Sequence, residues 1–83
     1  MLQVIFHGVD RSPAMEADIA ERLEALKRFD STIGECKVTI SKEGHQGLGS
    51  FSVKIDLAMA GRSNVVAQES DPVATAAVNK VFD

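Results

Sequence analysis

The sequence has a single cysteine, no tryptophan, no tyrosine and only two prolines among its 83 residues. One cysteine rules out an internal disulfide framework and suits a reducing compartment. No stretch approaches the ~20 apolar residues of a membrane span. The opening Met-Leu-Gln-Val-Ile-Phe-His has no basic n-region and no apolar run of signal-peptide length. A cytoplasmic domain with no membrane partner is therefore expected. An excess of basic residues is missing too: 9 Lys and Arg stand against 12 Asp and Glu, for a net charge of −3. That balance counts against nucleic-acid binding unless the cations gather on one face, because phosphate contacts supply most of such affinity. No repeat, low-complexity tract or linker divides the chain, so residues 1–83 read as one domain. What is present is an ordinary apolar fraction of 45%, which excludes disorder. A chain this short buries only roughly 60% of its unfolded surface, so its core must be thin.

Leu2, Val4 and Phe6 alternate with Gln3, Ile5 and His7, the period of a first strand. After a turn over Gly8 to Arg11, Ser12-Pro13 marks a helix start: a capping hydroxyl followed by a proline at the first helical position. Met15, Ile19, Leu23 and Leu26 recur at helical spacing, carrying that helix to Arg28 or Phe29, where Asp30, Ser31, Thr32 and Gly34 break it. Cys36, Val38 and Ile40 then alternate with Glu35, Lys37, Thr39 and Ser41. Phe51, Val53, Ile55, Leu57 and Met59 alternate with Ser52, Lys54 and Asp56. Residues 42–49 between these strands read as a long glycine-rich hairpin loop. A turn at Gly61 leads to a fourth strand near Asn64 to Glu69. Asp71-Pro72 repeats the cap-then-proline signal for a second helix, faced by Ala74, Ala77, Val78, Val81 and Phe82 and still running at Asp83. The expected fold is α+β in the order β-α-β-β-β-α. Strand one lies parallel to strand two, a meander follows, and both helices cover one face of a four-stranded mixed sheet.

Nothing in this pattern points to catalysis. His7 and His45 fall on a strand's polar face and a loop tip, without Cys, Asp or Glu at ligand spacing, so no metal site is expected. Cys36 sits on the inward phase, as a packed thiol rather than a nucleophile. Gly44-x-x-Gly47-x-Gly49 matches neither phosphate-binding fingerprint, and a strand rather than a helix follows it. Ser12 and Thr32 are explained by capping and turn chemistry. The reading is of a protein without enzymatic activity, cofactor or small-molecule substrate. The cations remain: Arg22, Lys27 and Arg28 on the first helix, Lys80 on the second, Lys37 and Lys54 on the outward sheet face, and Lys42 at the hairpin. Taken alone these are an ordinary solvated surface, paired at i,i+3 or i,i+4 with Glu16, Asp18, Glu21 and Glu24.

Ser12-Pro13-Ala14-Met15 at the first helix start and Ala20-Glu21-Arg22-Leu23-Glu24-Ala25-Leu26-Lys27-Arg28-Phe29 at its end are joined by Val38-Thr39-Ile40-Ser41-Lys42-Glu43 before the hairpin and Asn79-Lys80-Val81 on the last helix. In this order and spacing the chain resembles the ribosome hibernation promoting factor and ribosome-associated inhibitor family, also labelled sigma-54 modulation proteins, over residues 2–83. The resemblance implies a non-catalytic factor that docks on the small ribosomal subunit, in the channel of messenger and transfer RNA, and blocks translation under stress or in stationary phase. It also implies ribosomal-RNA contacts by Arg22, Lys27, Arg28, Lys42 and Lys80, with Lys37 and Lys54 as additions. The family's last helix continues into a basic segment, so the resemblance implies a second helix running past Asp83 in the full protein. The isolated domain is expected to be monomeric.

Two other functions are open to the sequence. A protein–protein interaction module would keep the fold without RNA affinity and dock along a strand edge. Duplex RNA binding would suit the α-β-β-β-α portion, but Glu16, Asp18 and Asp71 near the helix starts disfavour it.

Overall fold

The computed structural model describes residues 2–45 and 48–82, the side chains of 43–45 and 48 excepted. Its elements run β1 (Leu2–His7), α1 (Pro13–Phe29), β2 (Ile33–His45), β3 (Leu48–Met59), β4 (Val65–Asp71) and α2 (Ala74–Phe82), the expected order. One sheet holds the strands in the sequence β1-β2-β3-β4. Strand β1 lies parallel to β2, with Leu2 opposite Cys36 and Phe6 opposite Ile40. The other two pairings are antiparallel.

Local chemistry accounts for α1. Ser12 is extended, its hydroxyl accepts the Met15 N–H at 3.2 Å, and Pro13 opens the helix. Glu16 lies in the first turn and Lys27 and Arg28 in the last, each sign at the end of the helix dipole that favours it. At the far end Asp30 leaves helical geometry while its N–H still donates to the Leu26 carbonyl at 3.0 Å.

Both helices face the same side of the sheet. Ile19 and Leu23 of α1, Ala77 and Val78 of α2, Cys36, Val38 and Ile40 of β2, and Val53 and Ile55 of β3 form one buried cluster. Leu57 and Val81 pack against it partly buried. Leu26, expected in the same core, is only half-buried; one turn past Leu23, it lines a surface groove with Phe29 and Phe82. Cys36 is 2% exposed on the inward phase of β2. Burial pushes its thiol above the ordinary range, so little thiolate forms near neutral pH. A thiol reagent should label it slowly in the native protein and fast in denaturant; rapid native labelling would reverse the register of β2.

The structure corrects four expectations. Residues 42–49 are not a long loop: Lys42 pairs with Phe51, Glu43 with Ser50, Gly44 with Gly49 and His45 with Leu48, so the ladder runs almost to the tip. Gln46 and Gly47 lie outside the described residues, as does Asp83 at the chain end. Ladder hydrogen bonds join backbone groups, which glycine supplies as any residue does, so a lack of apolar alternation does not end a strand. Strand β2 also starts early, at Ile33, with a register irregularity before Cys36. Asp71 is the last residue of β4 rather than a helix cap; its carboxylate accepts the Val73 N–H at 2.9 Å, a side-chain turn, and α2 begins at Ala74. Finally, Ser52 faces outward by alternation yet is buried, with Gln68 of β4 donating to its hydroxyl at 2.7 Å.

Candidate functional site

The seven cations singled out in the sequence divide between two faces. Arg22, Lys27 and Arg28 lie on α1 and Lys80 on α2, all in the helix layer. Lys42 is exposed, and by alternation with Val38 and Ile40 it shares the helix-covered side of β2, towards the hairpin end. Lys37 and Lys54 stand on the open face, where they line a small depression with Thr39 and Asp56. No single surface gathers all seven.

Two of the seven are already engaged. The Arg22 Nε donates to Asp18 Oδ2 at 3.1 Å, an i,i+4 pair, while its terminal nitrogen donates to Asn79 Oδ1 and so ties α1 to α2. Lys80 Nζ lies 2.9 Å from Asp71 Oδ2 and donates to the Ser70 carbonyl at 3.3 Å, tying α2 back to β4. The Val73 N–H and the Lys80 ammonium hold the Asp71 carboxyl below its ordinary range, and Asp71 in turn holds Lys80 above its own. Lys27, Arg28, Lys37, Lys42 and Lys54 form no ion pair among the described residues. Among the described residues these five can meet a ligand's charge without breaking an ion pair.

The remaining two cations hold the fold. Arg11 bridges Glu16 at 2.7 Å at the start of α1. Arg62, in the β3–β4 turn, reaches Asp30 Oδ2 at 3.0 Å, and the Ala60 N–H donates to the Thr32 carbonyl at 2.8 Å beside it. The Thr32 hydroxyl and N–H also donate to Asp30 and hold its carboxyl below the ordinary range, with Arg62 adding to the effect. The φ of +75° at Gly61 lets the turn close within reach of Asp30.

One surface feature was not singled out in the sequence beyond marking a helix end. Phe29 is 93% exposed, beside Arg28 and over a groove lined by Arg22, Ala25, Leu26 and Phe82. Its signal is the i,i+3,i+7 row Arg22, Ala25, Phe29, which runs beside the Ile19/Leu23 stripe rather than along it. His7 is exposed on the open face, and no group of three His, Cys, Asp or Glu side chains gathers among the described residues. The His45 side chain lies outside the described residues. Among the described residues no helix is long and apolar enough to cross a membrane.

Comparison with known proteins places this arrangement. The chain has the fold of a ribosomal subunit interface protein from Coxiella burnetii, at a TM-score of 0.81 and 20% identity, covering 98% of this chain and 84% of that one. It is similar to the same degree to the Protein Y N-terminal domain of Thermus thermophilus, with a TM-score of 0.81, 21% identity, and 98% and 84% coverage. No curated protein matches the sequence. The sequence does match the family described as sigma 54 modulation protein / S30EA ribosomal protein, over residues 2–83. This chain, from its first strand to its last helix, belongs to that family.

Proposed function

We propose that this protein is a non-catalytic, cytoplasmic ribosome-associated factor that docks on the small subunit, in the channel of messenger and transfer RNA, and holds translation off during stress or stationary phase. The observation that carries the reading is family membership across the whole of residues 2–83. The surface is consistent with it. Charged side chains project from a helix layer and an open sheet face instead of converging on a cleft. Lys27, Arg28, Lys37, Lys42 and Lys54 are the phosphate contacts, and they position the protein by backbone shape rather than base sequence. Arg22 and Lys80 join them by exchanging a carboxylate for a phosphate, or by holding α2 in place.

Co-sedimentation with purified small ribosomal subunits over a salt series, with naked duplex RNA as competitor, tests this. Binding that weakens steeply with salt yet survives the competitor is expected. Complete displacement by duplex RNA would replace subunit docking with generic duplex binding, and no sedimentation at low salt would end the ribosomal reading. One observation favours the interaction-module alternative: β4 is an edge strand whose Val65 and Val66 are 48% and 55% exposed. In that case a protein partner would add a strand along β4, and the subunits would pellet without this chain.

A further inference from the structure

We propose that the open face of the sheet holds a site for a guanosine 5′-phosphate unit, with the phosphate on Lys37 and Lys54, the ribose at Asp56 and the base at Glu35. The proposal deepens the ribosomal-RNA reading above, on which it rests for the choice of a nucleotide, by adding a contact that reads a base.

Strand register builds the site. Gln3 pairs with Lys37 and Lys37 with Asp56, one row across three strands, and Thr39 pairs with Lys54 in the next row. Alternation sends all five to the side away from the helices. Lys37, Thr39, Lys54 and Asp56 line a depression of about 60 Å³. A hollow of about 320 Å³ shares Lys37 and Asp56 with it and continues past Gln3 and Glu35 to Asn64, between β3 and β4. Ala58 lines the hollow as well, and a side chain of one methyl leaves it open. From Thr39 to Glu35 is roughly 13 Å of extended strand, the length of an extended mononucleotide.

Charge changes sign along this furrow. The ammonium groups of Lys37 and Lys54 stand with the Thr39 hydroxyl at one end, and Glu35 with the amides of Gln3 and Asn64 at the other. Half-buried Asp56 lies between them. Lys37 and Asp56 are register partners, yet they do not close an ion pair. None of these side chains makes a hydrogen bond among the described residues. Their polar atoms are turned to solvent or to a ligand.

That pattern selects the occupant. A simple anion would meet two carboxylates, and a simple cation two ammonium groups. The ligand therefore needs an anionic end and a donating end. An ionised carboxylate only accepts hydrogen bonds. Guanine is the one standard base with two adjacent donors on its Watson–Crick edge, N1–H and N2–H, and Glu35 can accept both; the other bases set an acceptor beside their donor. The Gln3 and Asn64 amides can donate to the guanine carbonyl. Asp56 suits the ribose hydroxyls, as carboxylates do in dinucleotide sites. Lysines receive the phosphate.

The test follows the amide chemical shifts of the intact chain against guanosine, inosine and adenosine 5′-monophosphates, and against oligouridylates with one central guanosine or adenosine. Guanosine monophosphate should shift the amides around Lys37 and Asp56 and bind roughly 5- to 150-fold more tightly than adenosine monophosphate, the discrimination of one bidentate base contact. Inosine monophosphate, which lacks the N2 amine, should fall between. Glu35→Gln should erase the preference and keep the phosphate-driven binding. Lys37→Ala/Lys54→Ala should weaken all three nucleotides alike, and Asp56→Asn should remove the advantage of guanosine over 2′-deoxyguanosine monophosphate. Thermal unfolding should stay near wild type for Glu35→Gln and the lysine pair, since these side chains are exposed. Tighter, Glu35-dependent binding of the guanosine oligomer assigns the unit to an RNA strand; equal binding of the mononucleotide assigns it to a free nucleotide.

Equal affinity for guanosine and adenosine monophosphates would overturn the proposal, as would silence towards mononucleotides and oligomers alike. Shifts at the same amides from a peptide of alternating Glu and Lys, but from no nucleotide, would overturn it in favour of a protein partner. Absent subunit binding with a retained guanosine preference would overturn the ribosomal reading and support the site, and the reverse would overturn the site alone.

Discussion

Replacing Leu23 with alanine is expected to lower folding stability by ~2–5 kcal/mol, because the substitution removes transfer free energy and leaves a cavity that a packed core closes only in part. Leu23 is 2% exposed and sits with Ile19 among the strand and helix residues of the one buried cluster. A domain of this size has little in reserve, since native stabilities of ~5–15 kcal/mol are typical and small cores fall towards the lower end. The midpoint of thermal unfolding should drop by roughly 8–40 °C, at about 4–8 °C per kcal/mol for a short domain. Glu24→Ala, one residue on and exposed, is the control and should stay within about 0.5 kcal/mol of wild type. Circular dichroism against temperature reads both. Equal midpoints for the two variants would mean that α1 buries a different face.

Removing Lys27 and Arg28 together should weaken binding to small subunits by roughly 100-fold or more, since each hydrogen bond to a charged group contributes ~1.5–3 kcal/mol. The magnitude of the salt slope should fall by about 1.8 for a duplex-like contact, or about 1.4 for single-stranded RNA. Lys37→Ala/Lys54→Ala is the matching pair on the open face. Neither pair breaks an internal ion bridge among the described residues, so folding should change only by the small helix-dipole contribution of Lys27 and Arg28, about 0.3–1 kcal/mol each, and binding can be read beside a stability measurement. A loss confined to one pair assigns the interface to that face of the sheet. Undiminished binding in the quadruple variant would sink the phosphate-contact model. Arg22 and Lys80 belong in a separate experiment: their removal also unpairs Asp18, Asn79 and Asp71, and an effect on binding must be set against an effect on the packing of α2.

The elements legible in the sequence were those whose chemistry is local. Ser12-Pro13 opens α1 as a capping hydroxyl and a first-turn proline should, and the alternation in Cys36–Ile40 and Phe51–Leu57 sets which side of β2 and β3 meets the helices. The extent of the hairpin was not legible. Glycines and polar side chains mark loops statistically, while the pairing of Lys42 with Phe51 and Glu43 with Ser50 depends on backbone groups brought side by side by the strands before them. Asp71-Pro72 misleads for a related reason: a carboxylate accepting an N–H two residues on makes a turn with the same residues that would make a cap. At the candidate site, Asp18–Arg22 follows from helix periodicity. Lys80–Asp71 and Arg62–Asp30 do not, because each joins elements that meet only once the sheet has formed. Exposure of Phe29 was equally out of reach, for it depends on where α2 lies beside the end of α1.

The placement of β1 constrains the order of events as the chain is made. The strands after α1 pair with their sequence neighbours, so β2, β3 and β4 can assemble by successive local closures. Strand β1 is synthesised before the other three and, among the described residues, pairs with β2 alone, with all of α1 intervening. Its alternating Leu2, Val4 and Phe6 therefore have no ladder to join until β2 has emerged and turned back beneath the helix. Loop-closure entropy falls on this one long-range parallel pairing more heavily than on any hairpin of the meander. Strand β1 thus leaves the synthesis site as an unsatisfied strand, and its side of the sheet is completed by residues made before α1 rather than by those of the meander.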